Sequence, residues 1–241
     1  IPITALVAGI YFLWPKGKPI NPQVSFKPEL GEKLTKKVDN SLVLDLSAAK
    51  EINNLTTPRY LVFNIDNGKA YAAKGVEEKI SPASLTKILT AQVAYDIGYP
   101  EQLLSATNFS VDKVPTILGL RAGEQFTLSD LVRAAIATSG NDAATTIAES
   151  LALQNGLDYQ DFIGLMNGKA ALLKMNNSHF TNPDGLDGDG QFSTLSDLAR
   201  LIVNTIKNYP EIMAAAGSDR QDIQKSATHD FYYLSNWNGL L

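Results

Sequence analysis

An α+β fold, with a small antiparallel sheet begun early and a run of helices behind it, is what this sequence predicts, on three observations. Tyr60-Leu-Val-Phe-Asn-Ile-Asp66 and Lys69-Ala-Tyr-Ala-Ala73 are strand-like runs meeting across Asn67-Gly68. An Asn-Gly pair between two such runs is the strongest local hairpin signal, because both central residues of the tight turn take positive φ. From Ser81 onward the pattern turns helical, with several segments opened by cap-like residues. Strands followed by helices, rather than alternating with them, indicate α+β.

In chain order, Ile1 to Trp14 is an almost unbroken apolar run. It is too short for a bilayer span of about 20 residues and suits a signal-peptide core, or the outer part of an anchor that begins upstream. A short buried helix is the plainer alternative. Pro15, Pro19, Pro22 and Pro28 among polar residues make 15–40 an extended spacer, and 41–241 the globular domain. Ser41 to Ile52 reads as a short strand or a short helix. After the hairpin, Ser81-Pro82 reads as a cap with proline at the first helical position, for a helix reaching about Ile97 and stopped by Gly98. Thr127-Leu-Ser-Asp130 resembles a capping box for a helix ending near Thr138. Asp142 to Leu153 and Tyr159 to Leu173 read as two further helices. Asn182-Pro183-Asp184-Gly185 is a turn, and Thr194-Leu-Ser-Asp197 caps a helix to about Lys207. Two strands alone make a marginal sheet, so partners that complete it are expected beyond Leu241.

Composition removes several function classes. A net charge of −4 and a pI near 5.2 give no broad basic surface for nucleic acid. With no cysteine there is no disulfide, no thiolate metal site and no cysteine nucleophile. The two histidines, His179 and His229, stand in no metal-ligand spacing, and neither a phosphate-cradling glycine loop nor Gly-x-Ser-x-Gly occurs. No metal and no cofactor is expected.

The candidate chemistry lies at Ser84-Leu85-Thr86-Lys87. If Pro82 opens the helix, Ser84 falls in its first turn and Lys87, three residues on, shares its face. That spacing suits a serine nucleophile beside its base. The lysine must be neutral to take the proton, which burial or nearby positive charge favours, and a helix N-terminus favours negative charge developing at the serine oxygen. Ser47-Ala-Ala-Lys50 and Ser110-Val-Asp-Lys113 share the spacing, so the motif alone selects nothing. Context does: only Ser84 follows a hairpin and a Ser-Pro cap and has Leu85, Ile88 and Leu89 to bury its helix. Ser139-Gly140-Asn141 is the chain's sole Ser-x-Asn, at a junction between two helices. Taken alone it reads as a helix cap; beside Ser84 it would offer a proton-relaying hydroxyl and a substrate-gripping amide.

Pro82-Ala-Ser-Leu-Thr-Lys-Ile-Leu-Thr-Ala91 and Ser139-Gly-Asn-Asp-Ala-Ala144 resemble the first two active-site motifs of the low-molecular-weight penicillin-binding proteins, the serine D-Ala-D-Ala carboxypeptidases. Leu120-Arg-Ala-Gly-Glu124, Phe180-Thr-Asn-Pro-Asp-Gly-Leu186 and Ser235-Asn-Trp-Asn-Gly-Leu-Leu241 extend the resemblance, which covers about Arg59 to Leu241. It implies a β-lactamase/transpeptidase-like fold: an antiparallel sheet with flanking helices and an all-α lobe. It also implies Ser84 as acyl-ester nucleophile, Lys87 as general base, Ser139 as proton relay and Asn141 as substrate-binding residue. The implied partners are a peptidoglycan stem peptide ending in D-Ala-D-Ala, β-lactam antibiotics as covalent inhibitors, and a membrane reached through the N-terminal segment. There are two departures. Asp184 stands where the family usually carries histidine, and Lys-Thr-Gly is absent; Lys225-Ser226-Ala227 is the nearest string. The chain is expected to stop short of the strand that carries the third motif, which would cripple catalysis by these residues alone. The alternatives are a non-catalytic cell-wall-binding homologue and a class A-like β-lactamase. The latter is disfavoured because no glutamate lies between Glu149 and Glu211 to turn over a penicilloyl-enzyme.

Overall fold

A computed structural model of the protein describes residues 28–236. The apolar run at Ile1 to Trp14 and the first part of the proline-rich stretch lie outside the described residues. The predicted α+β class holds: helices surround one main core, and two small antiparallel sheets lie at its edges.

The hairpin forms between β1 (Tyr60–Phe63) and β2 (Ala70–Lys74), in the register Tyr60 opposite Lys74. Its turn differs from the expected tight one. Only Gly68, at φ +72°, takes the left-handed conformation; Asn67 does not. Asn64 is the reason: its side-chain oxygen accepts the Asp66 and Asn67 amides at 2.8 and 3.2 Å, and its carbonyl accepts Gly68 N–H at 2.9 Å. An Asx-type turn therefore ends β1 early and widens the loop. The ambiguous stretch at 41–52 is neither regular strand nor helix. It runs parallel beside β2 through bridges at Asp45 and Lys50, the Asp45 carbonyl accepting Ala70 N–H at 2.9 Å. A second ribbon, β3 (Leu103–Ser105) with β4 (Gln125–Thr127), has no sequence signal strong enough to be read in advance, since each strand is three residues long.

The spacer expected over 15–40 is corrected from Pro28 onward, where α1 (Pro28–Thr35) forms and buries Leu30 and Leu34 in the core. Prolines read as extended chain, yet Pro28 sits at a helix's first position, where its missing N–H costs nothing. The central element is α2 (Thr86–Ile97), with ten of its twelve residues buried. A helix buried on all sides carries no amphipathic stripe, and its polar residues need internal partners. Thr90 Oγ1 donates to the Pro183 carbonyl at 2.7 Å, and Gln92 exchanges hydrogen bonds with Thr205 and Asn204 at 2.7 and 2.8 Å. Around it pack α1, α4 (Leu128–Ala137), α5 (Asn141–Gln154), α6 (Tyr159–Leu172) and α7 (Leu195–Asn208). The short α3 (Asn108–Val111) leans on α5, and α8 (Pro210–Ala216) covers α4. Thr127 and Thr194 cap α4 and α7 as expected, each side chain accepting the amide three residues on.

One buried ion pair locks the α1 end of the core. Lys169 Nζ on α6 donates to Asp96 at 2.8 Å and to the carbonyls of Leu34 and Lys37 at 2.9 Å each. Asp96 also accepts the Tyr209 hydroxyl at 2.8 Å. The lysine's three donors are thus all engaged, the condition under which a buried pair is tolerated.

Candidate active site

The helix carrying Lys87 does not open with a side-chain cap. Ala83–Leu85 form a single 3₁₀ turn that runs straight into α2. Its carbonyls satisfy the first amide of α2, Thr86 N–H donating to Ala83 O and Ser84 O. Ser81 is therefore released from the capping role the sequence suggested, and its hydroxyl donates to Asp187 at 2.5 Å instead. Lys87 lies in the first turn of α2, three residues beyond Ser84 and on the same face. Leu85 is corrected too: it is exposed, while Leu89 is fully buried and Ile88 partly so.

Lys87 Nζ lies 3.1 Å from Ser84 Oγ and 2.5 Å from the Asp184 carbonyl oxygen. Ser139 Oγ lies 2.7 Å from Ser84 Oγ. Two groups, Lys87 Nζ and Ser139 Oγ, thus meet at the oxygen of Ser84, a residue that is itself exposed while the lysine is only 1% exposed. Asn141 is buried at the first position of α5, and its side-chain amide makes no hydrogen bond to the described residues. Three of the four residues singled out in the sequence, Ser84, Lys87 and Ser139, are in hydrogen-bond contact here, and Asn141 follows Ser139 by two residues. Neither of the other Ser-x-x-Lys strings takes part: Ser47 hydrogen-bonds Asp45, and Ser110 caps α3 with Thr107. His179 pairs with Phe192 and His229 stacks on Phe126, centroids 4.5 Å apart. Among the described residues no group of three potential metal ligands assembles.

A family model described as D-alanyl-D-alanine carboxypeptidase matches residues 46–241. The chain belongs to that family. It is 34% identical over 163 residues to the D-alanyl-D-alanine carboxypeptidase DacC of Escherichia coli, covering 63% of this chain and 40% of that protein. It is 28% identical over 181 residues to DacF of Bacillus subtilis, covering 73% and 45%. Among solved structures, the D-alanyl-D-alanine carboxypeptidase of Mycobacterium tuberculosis superposes with a TM-score of 0.71 at 26% identity, over 82% of this chain and 72% of that one. The chain spans about two fifths of the length of the first of these curated relatives.

The electrostatics of this carboxypeptidase-family site centre on Lys87. Burial pushes its ammonium down from the ordinary 10.5 to about 8, against the opposing pull of Asp184 and then Asp142. At pH 7 roughly one lysine in ten is then neutral, against about one in three thousand without the shift. A neutral Nζ, 3.1 Å from Ser84 Oγ, can accept the serine proton, and the contact simply reverses its direction.

Two residues that sequence reasoning passed over build the frame. Asp142 follows the Ser-Gly-Asn string and is fully buried. Its carboxylate accepts the amides of Leu118, Gly119, Leu120 and Ala143 at 2.8 to 3.1 Å, while Asn141 N–H donates to Thr116 O at 2.7 Å. The 116–120 loop is thereby clamped to the start of α5, and Ser139 is held at φ +58°. The sequence offered only a first-turn acid, which is also what any helix N-terminus favours. Gly185 is the second. At φ +86° it passes so close under the Ala83–Leu85 turn that a Cβ there would lie 1.9 Å from Ala83 O. Ala83 itself takes φ +46°. Non-glycine residues in the left-handed region cost free energy and persist where the surroundings over-determine them; here one is Ser139 itself and the other, Ala83, precedes Ser84.

Proposed function

We propose that the protein is a serine-type D-Ala-D-Ala carboxypeptidase that removes the terminal D-alanine from peptidoglycan stem peptides through an acyl-enzyme, and that penicillins acylate it at the same serine. The observation carrying this reading is the convergence of Ser139 Oγ and a buried, easily deprotonated Lys87 Nζ on Ser84 Oγ, at 2.7 and 3.1 Å.

In the proposed reaction Ser84 Oγ attacks the carbonyl carbon of the penultimate D-alanine while neutral Lys87 takes its proton. The tetrahedral intermediate collapses with cleavage of the peptide C–N bond. The departing D-alanine amine receives a proton from the Ser139 hydroxyl, and the Lys87 ammonium, which holds the proton taken from Ser84, returns one to Ser139, so that protons balance. Water then attacks the ester, giving the shortened peptide and free Ser84. Asn141, whose amide is unengaged by the described residues, holds the substrate backbone. The α2 N-terminus favours the developing oxyanion charge beside Ser84.

Such a substrate lies outside the cytoplasmic membrane, so the proposed enzyme faces outward and the apolar run at Ile1 to Trp14 is its proposed membrane tether. No helix among the described residues is long and apolar enough to cross a membrane. Recovery of the full-length protein in the cytosolic fraction alone would contradict this placement. For the activity, the decisive experiment is covalent labelling of the full-length protein by a fluorescent penicillin. Wild type is expected to label and Ser84→Ala to lose labelling altogether; undiminished labelling of that variant removes Ser84 from the nucleophile's role.

A further inference from the structure

Asp184 is 2% exposed and touches Lys87 through its backbone. Its carbonyl oxygen holds Lys87 Nζ at 2.5 Å. Its carboxylate accepts Leu186 N–H at 2.9 Å and the Thr145 hydroxyl, more weakly, at 3.4 Å. A carboxylate has about four acceptor sites, and a buried one left with two neutral donors needs a nearby cation to offset its desolvation. The contrast with Asp142, which accepts four amides, shows which of the two acids is short of partners. The charged groups that face Lys87 are Asp184, from the 180–186 loop, and Asp142, from the first turn of α5, with Asp184 the stronger. On the far side Tyr159 of α6 feels Asp184 and then Glu149, and Glu149 accepts the Thr107 hydroxyl at 2.5 Å.

We propose that Asp184 is a positioning residue for acylation: its carbonyl fixes the Lys87 side chain beside Ser84, and its carboxylate acts as counter-ion to the lysine before and after proton transfer. This rests on the reading of Ser84 as nucleophile and Lys87 as base. The counter-ion has two opposing effects. It keeps more of Lys87 protonated at neutral pH, which withholds the base. It also stabilises the ammonium formed when the Ser84 proton arrives, which makes the base stronger once it is free.

Removing the charge should therefore move the pH profile and not only lower it. The sign follows from the causes: burial lowers the Lys87 pKa to about 8 while Asp184 raises it, so a neutral residue at 184 drops it further. The test is the second-order rate of acylation by a fluorescent penicillin, measured on the full-length protein from about pH 6 to about pH 10. Wild type is compared with Asp184→Asn, which keeps an acceptor for Leu186 N–H, and with Asp184→His. In both variants the acid limb is expected to shift down by about one pH unit. The rate at pH 7 would rise, or fall far less than the rate at pH 9, which drops a few-fold. A labelled variant whose limb stays in place overturns the inference and leaves the nucleophile assignment standing. So does loss of cooperative thermal unfolding in both variants, which would make Asp184 a purely structural residue. Absence of labelling in wild type, or undiminished labelling of Ser84→Ala, overturns the underlying reading and this inference with it.

Discussion

Gly185→Ala is the substitution that most directly probes how Ser84, the proposed nucleophile, is held. The added Cβ would lie 1.9 Å from the Ala83 carbonyl oxygen, 2.5 Å from its carbon and 3.1 Å from Ser84 N. None of these atoms belongs to a flexible side chain, so the clash is relieved only by moving backbone. Two costs add. Holding an L-residue at the φ of +86° seen for Gly185 costs about 1–2 kcal/mol, and forcing packed backbone apart costs about 1–3 kcal/mol more. Together these make about 2–5 kcal/mol, a large share of the stability of an ordinary domain. The segment that must yield is the Ala83–Ser84 turn, and a displacement of about 1 Å at a reacting group can cost about a hundredfold in rate. The control is Gly123→Ala, because Gly123 also has positive φ, at +90°, but meets nothing within 4 Å of a built Cβ. It should lose only the conformational share, about 1–2 kcal/mol, with unchanged acylation. Urea unfolding supplies the stabilities and the second-order rate with a fluorescent penicillin supplies the site readout. If Gly185→Ala matches Gly123→Ala in both, the loop does not brace the nucleophile's turn and the reasoning fails.

Two further substitutions test the frame. Asp142→Ala removes the acceptor of four backbone amides and should cost about 2–4 kcal/mol with at least about a tenfold fall in acylation; thermal unfolding and labelling rates measure both, and wild-type labelling would show that Ser139 is placed without this clamp. Lys169→Met leaves Asp96 buried without its cation, the two side chains being 0% and 1% exposed, and should cost about 3–5 kcal/mol. Adding Asp96→Asn should recover part of that loss in urea unfolding, and a single-variant cost below about 1 kcal/mol would mean that the pair is not what anchors α1.

The sequence by itself determined the α+β class, the positions of α2, α4, α5, α6 and α7, and the identity of Ser84, Lys87, Ser139 and Asn141 as candidates. These rest on short-range chemistry: an Asn-Gly turn, Thr side chains that cap helices, and Ser-x-x-Lys spacing that puts two residues on one face. Local information also misled where a longer-range partner prevailed. Asn64 took over the hairpin turn, Asp187 claimed Ser81, and packing against the core made a helix of Pro28–Thr35. What only the tertiary structure decided is whether the Ser-x-x-Lys string that context had singled out has the surroundings its proposed chemistry needs. That chemistry requires that Ser139, 55 residues from Ser84, close to 2.7 Å, and that the Asp184 carbonyl, 97 residues from Lys87, reach its ammonium. It also requires that Lys87 be buried deeply enough to release a proton near pH 8. Desolvation depends on everything packed around a group, and α2 is enclosed by elements drawn from across the described chain, so no stretch of sequence around Lys87 contains that information.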